Sequence, residues 1–205
     1  MRFKRRLWLF PVATVVAVVL SVPAASAARS ASILPSCGAK TYPFKPWADN
    51  DAYCAFPNLG FESGAVSWKL AGNASVVSAN EPWHVSGAGI HALQLGPGAT
   101  ALSSSLPVNL LDPWIRFFAR SSGANGSLNV RVLFHGLLGN LTGVLNVGSL
   151  SPGGFSTWQP TQRVLSALAL PLLTTTAQVQ ITSQASSGNW QVDDVYLDPC
   201  VAKLG

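Results

Sequence analysis

Hydrophobic and polar positions alternate with a period of two over the middle of the chain. Ile115, Phe117 and Ala119 alternate with Trp114, Arg116, Phe118 and Arg120, and Leu128, Val130, Val132 and Phe134 alternate with Asn129, Arg131, Leu133 and His135. That period predicts strands with one buried face. Ser121–Gly126 between them reads as a loop or a long hairpin turn. Gln178–Ser183 alternates again and leads into NWQVDDVYLDP, Asn189 to Pro199. Strict alternation there places Trp190, Val192, Asp194 and Tyr196 on one face, and Gln191, Asp193, Val195 and Leu197 on the other. An inward carboxylate needs a hydrogen-bond donor, an opposite charge or a cation, so this strand requires partners from elsewhere.

Shorter candidates precede these, at Trp68–Leu70, Val76–Val77, Trp83–Val85, Ala92–Leu95 and Thr100–Leu102, each bounded by Gly, Pro, Ser or Asn. Val144–Val147 and Thr157–Gln159 add extended pieces, while Val164–Leu173 reads either as a helix or as a leucine-rich crossing segment. The sum, about eight to ten short strands with no long amphipathic helix and no βαβ pattern, predicts an all-β antiparallel sandwich.

The N-terminal third changes the picture of location and charge. Met1–Arg6 is basic, Leu7–Leu20 is apolar and Ser21–Ser30 is small-residue rich. This order predicts a secretory signal over residues 1–27, ending at Ala25-Ser26-Ala27, with a retained anchor as the alternative. Four of the 13 Lys and Arg lie in that segment, leaving nine against eight Asp and Glu, so the apparent basicity belongs mainly to the signal. No remaining basic cluster suits nucleic acid, and removal of the signal leaves no stable membrane span. Cys37, Cys54 and Cys200 are disulfide candidates for an oxidising compartment, with an odd thiol left over. Residues 28–57 are interrupted by Pro35, Pro43, Pro46 and Pro57, which predicts an irregular segment. Its rings, Tyr42, Phe44, Trp47, Tyr53 and Phe56, predict that it packs along a sandwich spanning 58–199, followed by a tail at 200–205. Asp49-Asn50-Asp51 reads as a turn or a weak cation site.

Motifs for catalysis are sparse. His84, His91 and His135 form no HExxH, no GxSxG nucleophile elbow occurs, and the glycines make no phosphate loop. Glu62 or Glu81 could pair as acid and base with Asp193 or Asp194 in an unrecognised glycoside hydrolase or esterase, and no motif fixes the geometry such work requires. The expectation is therefore a domain without catalytic residues and without an organic cofactor.

Asn58–Gly64 followed by Trp68, then Gly89–Leu95, then Trp190–Val195 together resemble the beginning, middle and end of a galactose-binding-like jelly roll. The chain is similar to carbohydrate-binding modules attached to bacterial glycoside hydrolases, and to small secreted actinobacterial proteins without an assigned activity. The resemblance spans roughly residues 55–199 and implies a jelly-roll β-sandwich. In such modules a glutamate of the first motif and an aspartate of the final pair help hold a structural Ca²⁺. The matching positions are Glu62 and Asp194, with Asp193 a lesser contributor, and their hard oxygens suit that ion. Ile90 departs from the pattern by removing one oxygen ligand. Backbone hydrogen bonding of the same carboxylates is the competing reading.

The resemblance also implies a polysaccharide or glycan partner, held by aromatic faces and hydrogen-bonding side chains. Trp83 and Trp158 are the platform candidates, and Arg116, Arg120 and Arg131 the donors, lining one polar face of paired strands. Trp68 and Trp190, inside the fold motifs, read as core. A structural or protein-interaction domain at the cell surface is the alternative, motivated by the odd cysteine and by Leu137, Leu138 and Leu141. Either function places the protein outside the cell, in the medium or at the wall.

Overall fold

The computed structural model describes residues 40–107, 114–162, 164–165 and 174–198. The N-terminal segment gives β1 (Lys40–Thr41) and β2 (Tyr53–Ala55). The next stretch gives β3 (Trp68–Ala71), β4 (Ala74–Ser78), β5 (His91–Leu95), β6 (Thr100–Ser103) and β7 (Leu106–Pro107). Long strands follow, β8 (Trp114–Ser122), β9 (Leu128–Gly136) and β10 (Leu141–Leu150), then two short ones, β11 (Gln159–Pro160) and β12 (Val164–Leu165). β13 (Thr174–Ser183) and β14 (Asn189–Asp198) complete the set. Residues 1–39, with the expected signal and Cys37, and 199–205, with Cys200, lie outside the described residues, as does the remainder of the helix-or-crossing segment, 166–173.

Two antiparallel sheets result. The first runs β1-β2-β14-β5-β4, with β8 on the other edge of β14 and β11 and β12 on β8; the second runs β10-β9-β13-β6-β3, with β7 on β13. This is an all-β jelly-roll sandwich. Its principal core is made where the inner faces meet. Leu93, Leu95, Ile115, Phe117, Trp190, Val192, Val195 and Leu197 come from the first sheet, and Trp68, Val130, Val132, Phe134, Val179 and Ile181 from the second. Burying each such side chain contributes about 1.5–3 kcal/mol before conformational entropy is subtracted. The indole of Trp190 donates to the Gly126 carbonyl at 2.8 Å, which satisfies its one polar atom.

β8 and β9 are not paired with each other: β8 pairs with β14 and β9 with β13, so Ser121–Gly126 crosses between sheets rather than closing a hairpin. The physical reason lies in the two apolar stripes. Ile115, Phe117 and Ala119 face Val130, Val132 and Phe134 across the core, and only strands in opposite layers can bury both stripes at once.

Strict alternation also fails in β14. Asp194 has φ +50°, and the pairing with β8 slips between Asp193 and Tyr196, a β-bulge. Past it, Val195 and Leu197 join the inter-sheet core and Tyr196 turns to the outer face, the reverse of the simple pattern. The bulge sits at a seam. Before it β14 pairs with β5, and after it with β2. Phe56 N–H donates to the Val195 carbonyl (3.2 Å) and Val195 N–H to the Leu59 carbonyl (3.2 Å), which continue the exchange.

The proline-rich segment expected to be irregular thus supplies a strand to the first sheet. Its rings build a second core on that sheet's outer face, where Phe44, Tyr53, Ala92, Phe118, Trp158 and Tyr196 pack together. Phe44 stacks on Phe118 at 5.3 Å and meets Tyr53 and Tyr196 edge-on.

Candidate functional site

The outer face of the first sheet is only partly covered, and a groove of ≈ 750 Å³ opens beside the second core. Trp47, Ala48, Asp49, Arg116, Gln159, Pro160, Thr161 and Gln162 line it. Alternation in β8 sends Arg116 outward, but the N-terminal segment folds over it, and its side chain is only 8% exposed against 5% for its partner Asp49. The guanidinium pairs with Asp49 Oδ2, donates through Nε to the Thr161 carbonyl at 2.9 Å, and lies over the Phe44 ring at 4.0 Å. Asp49 also accepts from the Tyr53 hydroxyl (2.6 Å) and from the Asp51 amide (3.1 Å). A buried carboxylate is thereby satisfied by a cation, a phenol and an amide. The opposite wall is fixed by Thr161, whose amide donates to the Phe117 carbonyl (2.8 Å) and whose hydroxyl accepts from the Phe117 amide (3.1 Å).

Trp47 stands perpendicular to Trp83 with ring centroids 4.9 Å apart. Trp83 is 42% exposed and is carried by a loop that the acidic residues pin to the sheet. Asp193 Oδ2 accepts the Glu81 amide at 3.0 Å, and its Oδ1 accepts the Asp194 amide at 2.9 Å. The fully buried Glu81 carboxylate accepts the amides of Trp83 and Val85. This chain of contacts sets the backbone from which Trp83 projects over Phe118.

Next to the groove runs a polar ladder. Arg120 donates from Nε (2.8 Å) and from a terminal nitrogen to Gln191 Oε1, Gln191 faces Gln94 across β14 and β5, and Gln94 is in register with Ser75. Arg120 lies 5.3 Å from the Trp158 ring centroid.

At the bulge, Asp194 Oδ1 accepts the Ser86 hydroxyl at 2.6 Å. A Cβ built on Gly60 would come within 2.9 Å of that same oxygen, so this glycine leaves the carboxylate open on one side. Glu62 takes the amides of Ile90 and His91 on Oε1, each at 2.9 Å, and the His91 ring at 3.1 Å on Oε2. Burial pushes the Asp193 carboxyl up to about 9, aided by the charge of Asp194. Burial likewise raises Asp194 to about 6; the Ser86 hydroxyl opposes that rise and the charges of Glu81 and Glu62 add to it. For Glu62, partial burial acts upward, but the His91 and Ile90 hydrogen bonds together outweigh it and hold the carboxyl below its usual range. The buried oxygens of Asp193 and Asp194 are the donor chemistry a hard cation would take, whereas the Glu62 side chain is 42% exposed and already bonded to the His91 ring. Among the described residues no three His, Cys, Asp or Glu converge as a ready-made metal cluster.

The structure thus gathers Trp83, Trp158, Arg116 and Arg120 on one face, and separates Arg131, which is exposed on β9 in the other sheet. Trp158 is 7% exposed and belongs to the second core, so it is not an open stacking platform. β11 explains this, because Gln159 pairs with Ala119 and draws the neighbouring indole down onto the sheet. Arg116 does not line a solvated strand face either, since its donors are committed to Asp49 and Thr161. Asp193 spends both oxygens on backbone amides. Cys54 is buried and disulfide-bonded, with both possible partners outside the described residues. Trp47, Gln159 and Gln162 were missed as site residues; the aromatic excess in a proline-rich segment was the available signal for the first.

No family model matches the chain, and no curated protein matches it. Among solved structures it is similar to an arabinose-bound MgGH51 α-L-arabinofuranosidase, at 16% identity and TM-score 0.49 over 70% of this chain and 26% of that one. It is similar to TmCBM61 in complex with β-1,4-galactotriose, at 20% identity and TM-score 0.41, covering 70% of this chain and 96% of that one. The C-terminal family 22 carbohydrate-binding module of Clostridium thermocellum Xyn10B gives 13% identity and TM-score 0.48, covering 74% and 96%. The chain spans 21% of a bacteriophage CBA120 tailspike enzymatic domain and about a quarter of the arabinofuranosidase.

Proposed function

We propose that this is an exported, non-catalytic domain that docks on extracellular or cell-wall carbohydrate through the groove on its first sheet. The observation that carries the reading is the pairing of Trp47, which lines the groove, with the exposed Trp83 next to it, at a groove that the exposed Gln159 and Gln162 also line. An indole face covers the apolar face of a sugar ring, and the exposed side-chain amides of Gln159 and Gln162 fix hydroxyl orientation. Arg116 and Asp49 act as the rigid floor. The carboxylates support a binding role over hydrolysis: Glu62, Glu81 and Asp193 accept backbone amides, and Asp49 is neutralised by Arg116. Asp194 and Glu62 would hold a structural Ca²⁺ together with backbone carbonyls, tying the bulge of β14 to the Asn58–Gly64 turn.

Depletion of the protein by a panel of insoluble plant, fungal and bacterial-wall polysaccharides, followed by calorimetry with soluble fragments, tests the docking. Loss of one stacked ring is worth about 0.5–1.5 kcal/mol, so Trp83→Ala weakens binding by up to about tenfold. Absence of binding across the panel, or unchanged affinity in both Trp47→Ala and Trp83→Ala, overturns the reading.

A second reading, a protein-interaction domain at the cell surface, is favoured by one different observation. Leu137 and Leu138 stand almost fully in solvent at the β9–β10 turn.

A further inference from the structure

Strand register sets a row of polar side chains across the outer face of the first sheet. Gln191 of β14 is opposite Arg120 of β8 on one side and Gln94 of β5 on the other, and Gln94 is opposite Ser75 of β4. The row starts beside the groove, because Gln159, which lines the groove, pairs with Ala119. Gln191 is buried, Arg120 and Gln94 are half-buried, and Ser75 is exposed. The guanidinium fixes the polarity of the whole row. It can only donate, and Nε and Nη2 both donate to Gln191 Oε1, so Gln191 turns its amide nitrogen to Gln94. Gln94 then accepts on Oε1, at 3.4 Å, and keeps its own NH₂ group to donate. Neither that group nor Arg120 Nη1 has an acceptor among the described residues. The row thus presents unused donors at two places, roughly 10 Å apart across two strand spacings. Its charge is unmatched as well. Among the described residues the ion pairs are Arg116 with Asp49 and His91 with Glu62, and Arg120 has none. Asp193, two residues from Gln191, spends both oxygens on the amides of Glu81 and Asp194.

We propose that the carbohydrate docking on this face is an acidic one, whose uronic-acid carboxylate is gripped by Arg120 while the Gln94 amide donates to the same polymer. The inference rests on the docking reading above and narrows it from carbohydrate in general to carboxylate-bearing polysaccharide. A neutral sugar offers hydroxyls that donate as well as accept and brings no charge. A carboxylate only accepts, supplies the missing charge, and matches the planar fork of a guanidinium. The fork is held in place beforehand: Gln191 fixes one edge of it, and the Trp158 ring lies 5.3 Å from its central carbon. Little side-chain order therefore has to be gained on binding.

Calorimetric titration with polygalacturonate, alginate and glucuronoxylan, each beside its methyl-esterified form, tests the proposal. Esterification keeps the sugar ring and removes the charge. At least one acid form is expected to bind roughly tenfold to a hundredfold tighter than its ester, and added salt narrows the difference. Arg120→Met keeps the stem beside Trp158 and removes the fork. Gln94→Glu keeps an oxygen for Gln191 and replaces the donor with a negative charge. Each brings the ratio of acid to ester affinity toward one, and Gln94→Glu carries the test if Arg120→Met does not fold. Lys69→Met removes an exposed cation from the other sheet and leaves the ratio as it was, which separates recognition from net charge. Equal affinity for acid and ester, a ratio that survives in either folded variant, or an equal loss in Lys69→Met overturns the proposal. Binding of neutral polysaccharides without any uronate overturns it and leaves the docking reading standing, whereas no binding to any polymer overturns both.

Discussion

Arg116→Met isolates the floor of the groove from its rim. Methionine keeps the unbranched stem over Phe44 and removes the guanidinium, so the change acts on the charge and on the Nε hydrogen bond to Thr161. What remains is Asp49, itself 5% exposed, without the guanidinium and with the Tyr53 hydroxyl and the Asp51 amide still donating to it. Removing one member of a buried pair costs about 3–5 kcal/mol, because the surviving charge keeps its desolvation penalty. For a domain of this size each kcal/mol moves the midpoint roughly 2–4 °C, so Tm falls by about 6–20 °C. Asp49→Asn alone is also destabilising, but the double variant Arg116→Met, Asp49→Asn is closer to wild type than the sum of the singles, because no unpaired charge is left. Urea unfolding of the four proteins, followed by tryptophan fluorescence, gives the coupling directly. A loss below about 1 kcal/mol in Arg116→Met, or strict additivity in the cycle, refutes the assignment of this pair as a buried, mutually dependent unit.

Three further outcomes follow from the acidic seam and the inter-sheet crossing. If Asp194 and Glu62 hold Ca²⁺, the ion adds roughly 2.7 kcal/mol at a hundredfold excess over its Kd, EDTA lowers Tm, and Asp194→Asn removes that sensitivity; an unchanged melt under EDTA rejects the site. In chelated protein Asp193 and Asp194 bind protons more tightly folded than unfolded, about 9 and about 6 against 3.8, so their contribution is full below pH 3.8 and is lost as pH rises through those values. Stability measured by urea titration at pH 5–9 should therefore fall with pH and flatten in Asp193→Asn, and a rise over that window would contradict it. Gly188→Ala puts a Cβ 2.0 Å from the Gly123 carbonyl oxygen at a residue with φ +69°, so it loses at least about 1–3 kcal/mol by thermal melt, whereas Gly153→Ala, with open space around it, stays near wild type.

The long strands were legible because their inner faces are uniform. β9 has Leu128, Val130, Val132 and Phe134 in strict alternation, and burial alone decides its face. β14 carries the same signal up to Val192 and loses it at Asp194, where a left-handed non-glycine residue depends on the Ser86 hydroxyl, 108 residues away in the chain. Alternation contains no record of such a contact. Arg116 and Asp49 illustrate the same limit. One read as a surface strand donor and the other as a turn residue, and only folding across 67 residues makes them a pair. Trp158, a candidate for either packing or stacking from its sequence context, is drawn into the second core beside the β11 pairing of Gln159 with Ala119. Trp83 kept an exposed ring because Glu81 and Asp193 consume backbone amides that would otherwise need water.

The division of β14 between β5 and β2 also predicts an order of assembly. β2 adds at Tyr196 and Leu197, a closure across roughly 140 residues that becomes possible only after the last strand is in place. The inter-sheet core does not wait for it, since β14 already meets β5 and β8 through Trp190 and Val192. Phe44, Trp47 and Asp49, carried on the segment before β2, are therefore expected to settle after the sandwich has formed. Amides of the N-terminal segment should then exchange faster than those of β9 and β13 in the same molecule, and equal exchange would refute that order.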